Sequence, residues 1–118
     1  MEPTLPETDA EAVAEVLQGL ASPARIRILA HLLDSPRTVG DLAADLALGQ
    51  PTVSNHLRLL RHLGLVTGRR SGRSVTYELH DAHVTALLQQ ILAHVGHGGT
   101  GTGTGVRSRR DGERAGQA

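Results

Sequence analysis

The chain has 118 residues, no cysteine and a formal net charge of zero. That length suits one domain with a tail rather than two domains. The lack of cysteine excludes disulfides, thiolate metal sites, redox switching and cysteine nucleophiles together. Hydrophobic residues make up 39% of the chain, yet there is no Phe, no Trp and one Tyr. The core is therefore expected to be aliphatic and small, which suits packed helices and gains from dimerisation. No run approaches the roughly 18 uninterrupted apolar residues of a membrane span. The N-terminus MEPTLPETDAEAVAE is acidic and lacks both the basic and the apolar region of a signal peptide. The expected location is the cytoplasm, with no membrane partner.

The zero charge hides a pattern. Residues 1–20 carry five acids and no arginine, whereas residues 51–76 carry Arg58, Arg61, Arg69, Arg70 and Arg73 and no acid. A basic segment inside a neutral chain is the footprint of a polyanion-binding surface or simply a solvated face.

In chain order, residues 1–8 contain Pro3 and Pro6 and are expected to be disordered. Thr8 with Glu11 fits a capping box, and Val13, Val16, Leu17 and Leu20 then lie at helical spacing. Ser22-Pro23 starts a second helix, with Ser as cap and Pro in the first turn, carrying Ile26, Ile28, Leu29, Leu32 and Leu33. Asp34-Ser35-Pro36 ends it. Thr38 with Asp41 starts a short third helix with Leu42 and Leu46. After a tight turn at Leu48-Gly49, Gln50-Pro51 opens a fourth helix to about His62, with Val53, Leu57 and Leu60 inward and Gly64 as its stop. From Leu65 the period drops to two. Leu65–Thr67 and Ser74–Leu79 read as strands joined by Arg69-Arg70-Ser71-Gly72-Arg73. A last helix begins near Asp81 with a wide apolar stripe of Val84, Leu87, Leu88, Ile91, Leu92 and Val95, and Gly96 and Gly98-Gly99 stop it. Residues 98–118 are rich in Gly and Arg and are expected to be a flexible tail. The expected domain is 9–97.

The third and fourth helices with their turn read as a helix-turn-helix, whose second helix enters the DNA major groove. With Val53, Leu57 and Leu60 inward, Ser54, Asn55, Arg58 and His62 point outward, which puts hydrogen-bonding groups early and cations late. The arginine-rich hairpin that follows suits a wing on the phosphate backbone. The bland alternative is a helical pair with a basic surface and no DNA.

The runs LASPARIRILAHLL, TVGDLAADLALGQPTVSNHLRLLRHLGLV and GRRSGRSVTYELHD resemble the ArsR/SmtB family of metal-responsive repressors over roughly residues 10–97. The resemblance implies a mainly α, winged helix-turn-helix fold of four helices, a β-hairpin wing and a final helix. It implies a homodimer formed through the first and last helices. It also implies base or operator contacts at Gln50, Ser54 and Asn55 and a backbone contact at Arg73. The full candidate DNA-contacting set is Gln50, Thr52, Ser54, Asn55 and Arg58 on the fourth helix and Arg69, Arg70 and Arg73 on the hairpin, with a double-stranded operator as partner.

The last helix carries a second signal. His83 and His94 are eleven residues apart, about 16 Å along a helix and close to three full turns, so they share a face but not a metal. Two such helices packed antiparallel across a two-fold axis bring Asp81 and His83 of one chain to His94 and His97 of the other. One carboxylate and three imidazoles suit zinc. Taken singly, Asp81 reads as a helix cap and the histidines as surface residues, and Gly96 interrupts the His94–His97 pair. The same spacing also resembles the family's metal site on the C-terminal helix. The family's cysteine site in the third helix is not filled, since Thr38-Val39-Gly40-Asp41 stands there.

The set admits Zn(II), Co(II) or Ni(II). SGRSVTYELHDAHVTALLQQILAHVGH resembles actinobacterial, streptomycete-type nickel/cobalt sensors of this family, which favours Ni(II). However, the tail histidines that those sensors recruit are absent here, which leaves His80 and solvent as extra donors and keeps Zn(II) open. The expected function is a metal-responsive repressor. The alternative is a winged-helix regulator that senses no metal alone and needs a co-regulator protein. An enzyme is not expected, because four protein ligands leave no open coordination position and no Glu stands beside the histidines as a base.

Overall fold

A computed structural model describes residues 5–98. Its elements are α1 (Glu7–Leu20), α2 (Pro23–Asp34), β1 (Arg37–Thr38), α3 (Val39–Leu46), α4 (Gln50–His62), β2 (Val66–Ser71), β3 (Ser74–Leu79) and α5 (Ala82–Ala93). A π-helical turn, His94–Gly98, follows α5. The architecture is the expected winged helix-turn-helix. The tail from 99 onward and residues 1–4 lie outside the described residues. No helix among those described is long and apolar enough to cross a membrane.

The described residues form two units, divided between Val84 and Thr85. The first holds a dry aliphatic core. Ile28, Leu29 and Leu32 of α2, Leu42 and Leu46 of α3, Val53, Leu57 and Leu60 of α4, and Leu65 and Val66 at the start of the hairpin are all buried. Of the stripe expected on α2, Ile26 remains exposed. In the second unit Leu88 is buried while Leu87, Ile91 and Val95 are exposed. On α1 only Leu20 of the expected stripe is buried, and Val13 and Leu17 are exposed.

Three helix starts follow the local chemistry. Ser22 caps α2 by accepting the Arg25 backbone N–H, with Pro23 in the first turn. Thr38 and Asp41 form a reciprocal capping box at α3. Gly49 precedes Gln50-Pro51 at α4. The fourth start is a correction. Thr8 does not cap α1. The helix already begins at Glu7, with Pro6 at the cap position and no side-chain cap. The Pro6 carbonyl accepts the Ala10 N–H, so Glu7 and Thr8 are helical rather than disordered. Glu7 and Asp9 place negative charge in the first turn, where the helix dipole favours it.

The sheet has three antiparallel strands in the order β1-β3-β2. The third strand, β1, was not among the expected elements, since two residues carry no periodicity. It pairs Arg37 with Tyr77 and Thr38 with Thr76. Arg37 also binds Asp34 at the end of α2, Asp45 on α3 and the Ser35 hydroxyl. One guanidinium thus ties α2, β1 and α3 together.

The turn between α3 and α4 rests on backbone geometry. Ala47 is left-handed at φ 57°, and the Leu48 N–H returns to the Ala43 carbonyl at 3.0 Å. Gly64, at φ 77°, ends α4 the same way, with the Leu65 N–H on the Leu60 carbonyl and the Gly64 N–H on the Arg61 carbonyl. At Ala47 the Cβ clashes with the backbone in a conformation that glycine adopts freely. Ala47→Gly is expected to raise stability by about 1 kcal/mol, read as a melting-temperature increase of about 4–8 °C in calorimetry.

Candidate functional site

Helix α4 buries Val53, Leu57 and Leu60 as expected. That orientation exposes Gln50, Thr52, Asn55 and Arg58 and leaves Ser54 half-buried. Asn55 and Arg58, one turn apart, are joined: the Arg58 guanidinium donates to Asn55 Oδ1 at 2.8 Å. The pair presents the Asn55 amide donors and the remaining Arg58 N–H groups on one outward face.

The hairpin register separates the arginines. Gly68 faces Tyr77 and Arg70 faces Val75, whereas Arg69 faces Thr76. Successive side chains of a strand alternate between faces. Arg70 therefore shares the Tyr77 face, and Arg69 lies on the other with Glu78. Arg69 and Glu78 form an ion pair at 2.7 Å. Of the three hairpin arginines expected at DNA, Arg69 is thus partly neutralised within the chain. Arg70 and Arg73 are exposed, and neither is in an ion pair among the described residues. Gly72, at φ 63°, makes the hairpin tip between them.

Arg25, like Arg37, serves architecture. Arg25 donates to the Gly19 and Gln18 carbonyls at the end of α1 and lies 3.5 Å from the His56 ring on α4. Its charge meets the negative end of the α1 dipole. Close packing at this junction uses Gly19, where a Cβ would collide with the Leu63 side chain at the end of α4. The position of α4 is thus set at its far end as well as at its core face. Partial burial, and secondarily the Arg25 charge, hold the His56 imidazolium below its ordinary pKa of 6.5.

The residues expected to bind metal divide between the two units. In the first, Asp81 caps α5: Oδ1 accepts the Val84 N–H at 3.0 Å. Its Oδ2 lies 3.7 Å from His83 Nδ1 and 4.0 Å from His80 Nε2. The Val84 hydrogen bond, helped by the two imidazoles, holds the Asp81 carboxyl below its ordinary pKa and keeps it an anion. The His83 side chain is 97% exposed. In the second unit, His94 is exposed and begins the π-helical turn in which His97 also lies. Here the expected end of the helix is revised, because the α-helical ladder gives way at His94, before Gly96. Among the described residues no group of three or more His, Cys, Asp or Glu is placed to hold a metal ion within one chain. Asp81 and His83 meet, and they need further donors. Their chemistry, an ionised carboxylate and an open imidazole, fits a borderline divalent cation.

The sequence reading did not include Arg61 or Tyr77 among the DNA-contacting residues. Both line a concavity between α4 and β3 with Ser54, Arg58 and His62. The available signal was weak. Arg61 lies seven residues after Ser54 on the same helix face, and Tyr77 is the one aromatic residue of the chain.

Residues 22–67 match the model of the bacterial regulatory protein arsR family. The HTH-type transcriptional regulator NmtR of Mycobacterium tuberculosis is 48% identical over 88 residues, which is 75% of this chain and 73% of that protein. The solution structure of apo-NmtR superposes with a TM-score of 0.71 at 41% identity, covering 93% of this chain and 89% of that one. The homodimeric winged helix-turn-helix DNA-binding domain Mb0332 from Mycobacterium bovis also gives 0.71, at 28% identity over 81% of this chain and 91% of that one.

The His56 environment carries a signed prediction. The unfolded chain takes up a proton near pH 6.5 and the folded chain only at lower pH, so the stability held by neutral His56 is full above about 6.5 and declines as pH falls below it. Urea unfolding of the protein is expected to weaken between pH 7.5 and 5.5, and His56→Gln to flatten part of that slope. An unchanged slope in the variant would reject the role of His56.

Proposed function

The chain belongs to the arsR family of bacterial regulatory proteins, and on that footing we propose that it is a homodimeric, DNA-binding repressor whose operator affinity is set by Ni(II) or Zn(II) held between the last helices of two copies. The observation that carries the DNA reading is the orientation of α4. Its buried stripe turns Gln50, Thr52, Asn55 and Arg58 outward beside a basic hairpin. Asn55 and Arg58 suit base edges, where amides and guanidiniums form paired hydrogen bonds, while Arg70 and Arg73 suit phosphates. Arg69, shared with Glu78, contributes less.

The dimer reading rests on apolar faces left open on single helices. Val13 and Leu17 of α1 are one turn apart, and Leu87, Ile91 and Val95 recur every fourth residue from α5 onward. Burying such faces against a second copy removes apolar surface from water and adds to a core that lacks large aromatics. Two copies of α4 then meet two half-sites one helical turn apart, about 34 Å.

Asp81 and His83 of one protomer with His94 and His97 of its partner form the proposed metal set, two per dimer by symmetry. A bound divalent ion supplies Lewis-acid cross-linking between the two helices. This chain's own contribution is a pre-ionised carboxylate, fixed by the Val84 N–H, and the exposed imidazoles of His83 and His94. Metal ligation requires deprotonated donors, so uptake releases protons and depends on pH. Nickel is favoured through the resemblance of the C-terminal segment to nickel/cobalt sensors, and zinc through the ligand count.

Fluorescence anisotropy on DNA from upstream of the gene, at fixed salt, tests this. Without metal the protein binds. With Ni(II) or Zn(II) the affinity is expected to fall by about 5- to 150-fold, the ordinary range of allosteric coupling. His83→Ala and His94→Ala are expected to keep apo binding and lose the metal effect. Asn55→Ala is expected to narrow the preference for operator over random DNA, by about 1–3 kcal/mol. Full metal response in His94→Ala would remove the site assignment, and equal affinity with and without metal would remove metal sensing.

A further inference from the structure

The concavity between α4 and β3 has a volume of about 510 Å³ and is lined by Ser54, Arg58, Arg61, His62 and Tyr77. The lining residues carry two guanidiniums, an imidazole, a hydroxyl and a phenol, and none of them is acidic. Glu78, the adjacent carboxylate on β3, belongs to the opposite face of the hairpin and is engaged by Arg69. The concavity is thus a cationic channel with hydrogen-bond donors along its length.

Its course follows the helix. Ser54, Arg58, Arg61 and His62 stand at intervals of four, seven and eight residues, a single stripe flanking the buried one. The stripe starts beside Asn55 and runs to the C-terminal end of α4. On the opposite wall, Tyr77 is placed by its neighbours. A Cβ at Gly68 would come within 3.1 Å of both the Tyr77 ring and Val75, so the glycine leaves room for the ring to lie across β2. Tyr77 also pairs with Arg37 on its other side.

An α-helix with its side chains is about 10–12 Å across, and the major groove is about 12 Å wide. A helix seated in that groove has the phosphate backbone against its flanks. The flank nearer the hairpin is this channel. We infer that the α4–β3 channel is the seat of one DNA strand's phosphodiester backbone, with Arg61, His62 and Tyr77 as phosphate contacts that set how deeply α4 enters the groove. The inference rests on the DNA-binding reading and extends it to residues outside the reading face. It predicts contacts without base preference, since a phosphate carries no sequence.

The test compares the full-length protein with Arg61→Gln and Tyr77→Phe on operator and on random DNA, across 50–200 mM salt. Arg27→Gln, which removes the same charge from an exposed position on α2, serves as control. Arg61→Gln is expected to weaken both DNAs by a similar factor, about tenfold, and to lower the salt slope by about one. Tyr77→Phe is expected to weaken both equally and leave the slope unchanged, because a neutral donor releases no counterion. Arg27→Gln is expected to keep the wild-type slope. A wild-type slope in Arg61→Gln, with wild-type protein still binding operator, would overturn the channel assignment and spare the DNA reading. If the wild type bound no DNA, both would fall. Saturable micromolar binding of inorganic phosphate without DNA, lost in Arg61→Gln, would reassign the channel to a free anion and equally overturn the inference.

Discussion

Helix α4 has one face in the core, and the burial of Val53, Leu57 and Leu60 sets the direction of every other side chain it carries. These three residues are essentially without solvent access. Rotating the helix to expose any of them would cost the transfer energy of an aliphatic side chain, about 1.5–3 kcal/mol each. Asn55 and Arg58 point outward because their neighbours cannot. The restraints at the ends reinforce this orientation. The left-handed Ala47 aims the chain into α4, and Gly64 turns it out again into the hairpin. Arg25, Gly19 and Leu63 hold the C-terminal half against α1.

The twelve arginines of the chain are not one population. Arg37 is half-buried and shared between Asp34 and Asp45, and Arg25 binds the end of α1. Arg69 is matched by Glu78. Once these are set aside, the cations facing solvent on the α4–hairpin side are Arg58, Arg61, Arg70 and Arg73, with His62 between the helix and the strand. A chain of zero net charge thereby holds a local positive field, because among the described acids Glu7, Asp9, Glu11 and Glu15 lie on α1, Asp34 and Asp45 pair with Arg37, Asp41 and Asp81 cap helices, and Glu78 pairs with Arg69 on the other face of the hairpin. Local field, rather than net charge, steers a polyanion.

At α5 one residue serves two ends. Asp81 closes the helix N-terminus with one oxygen and offers the other to His83 and His80. The cap engages Oδ1, so it leaves Oδ2 facing the two imidazoles. At the far end the backbone changes from α to π at His94. π-turns of this kind are uncommon and recur at functional positions.

Much of the fold was legible because it is encoded locally. Ser22-Pro23, Thr38 with Asp41, the aliphatic stripe of α4 and the switch to period two after Leu65 each specify an element through neighbouring residues. The outward set on α4 followed from the same periodicity. Other features came from contacts between residues distant in the chain, which no local pattern encodes. Strand β1 exists only because β3 is there to pair with it. Arg69 differs from Arg70 only through a register that places Glu78 beside one of them, and the Tyr77 ring lies close against Gly68, whose missing side chain leaves it room. The sequence alone determined which face of α4 is buried and which residues that helix turns outward. Tertiary packing decided which arginines remain available and where the channel beside that helix runs, since charge pairing and close approach depend on distances through space rather than along the chain.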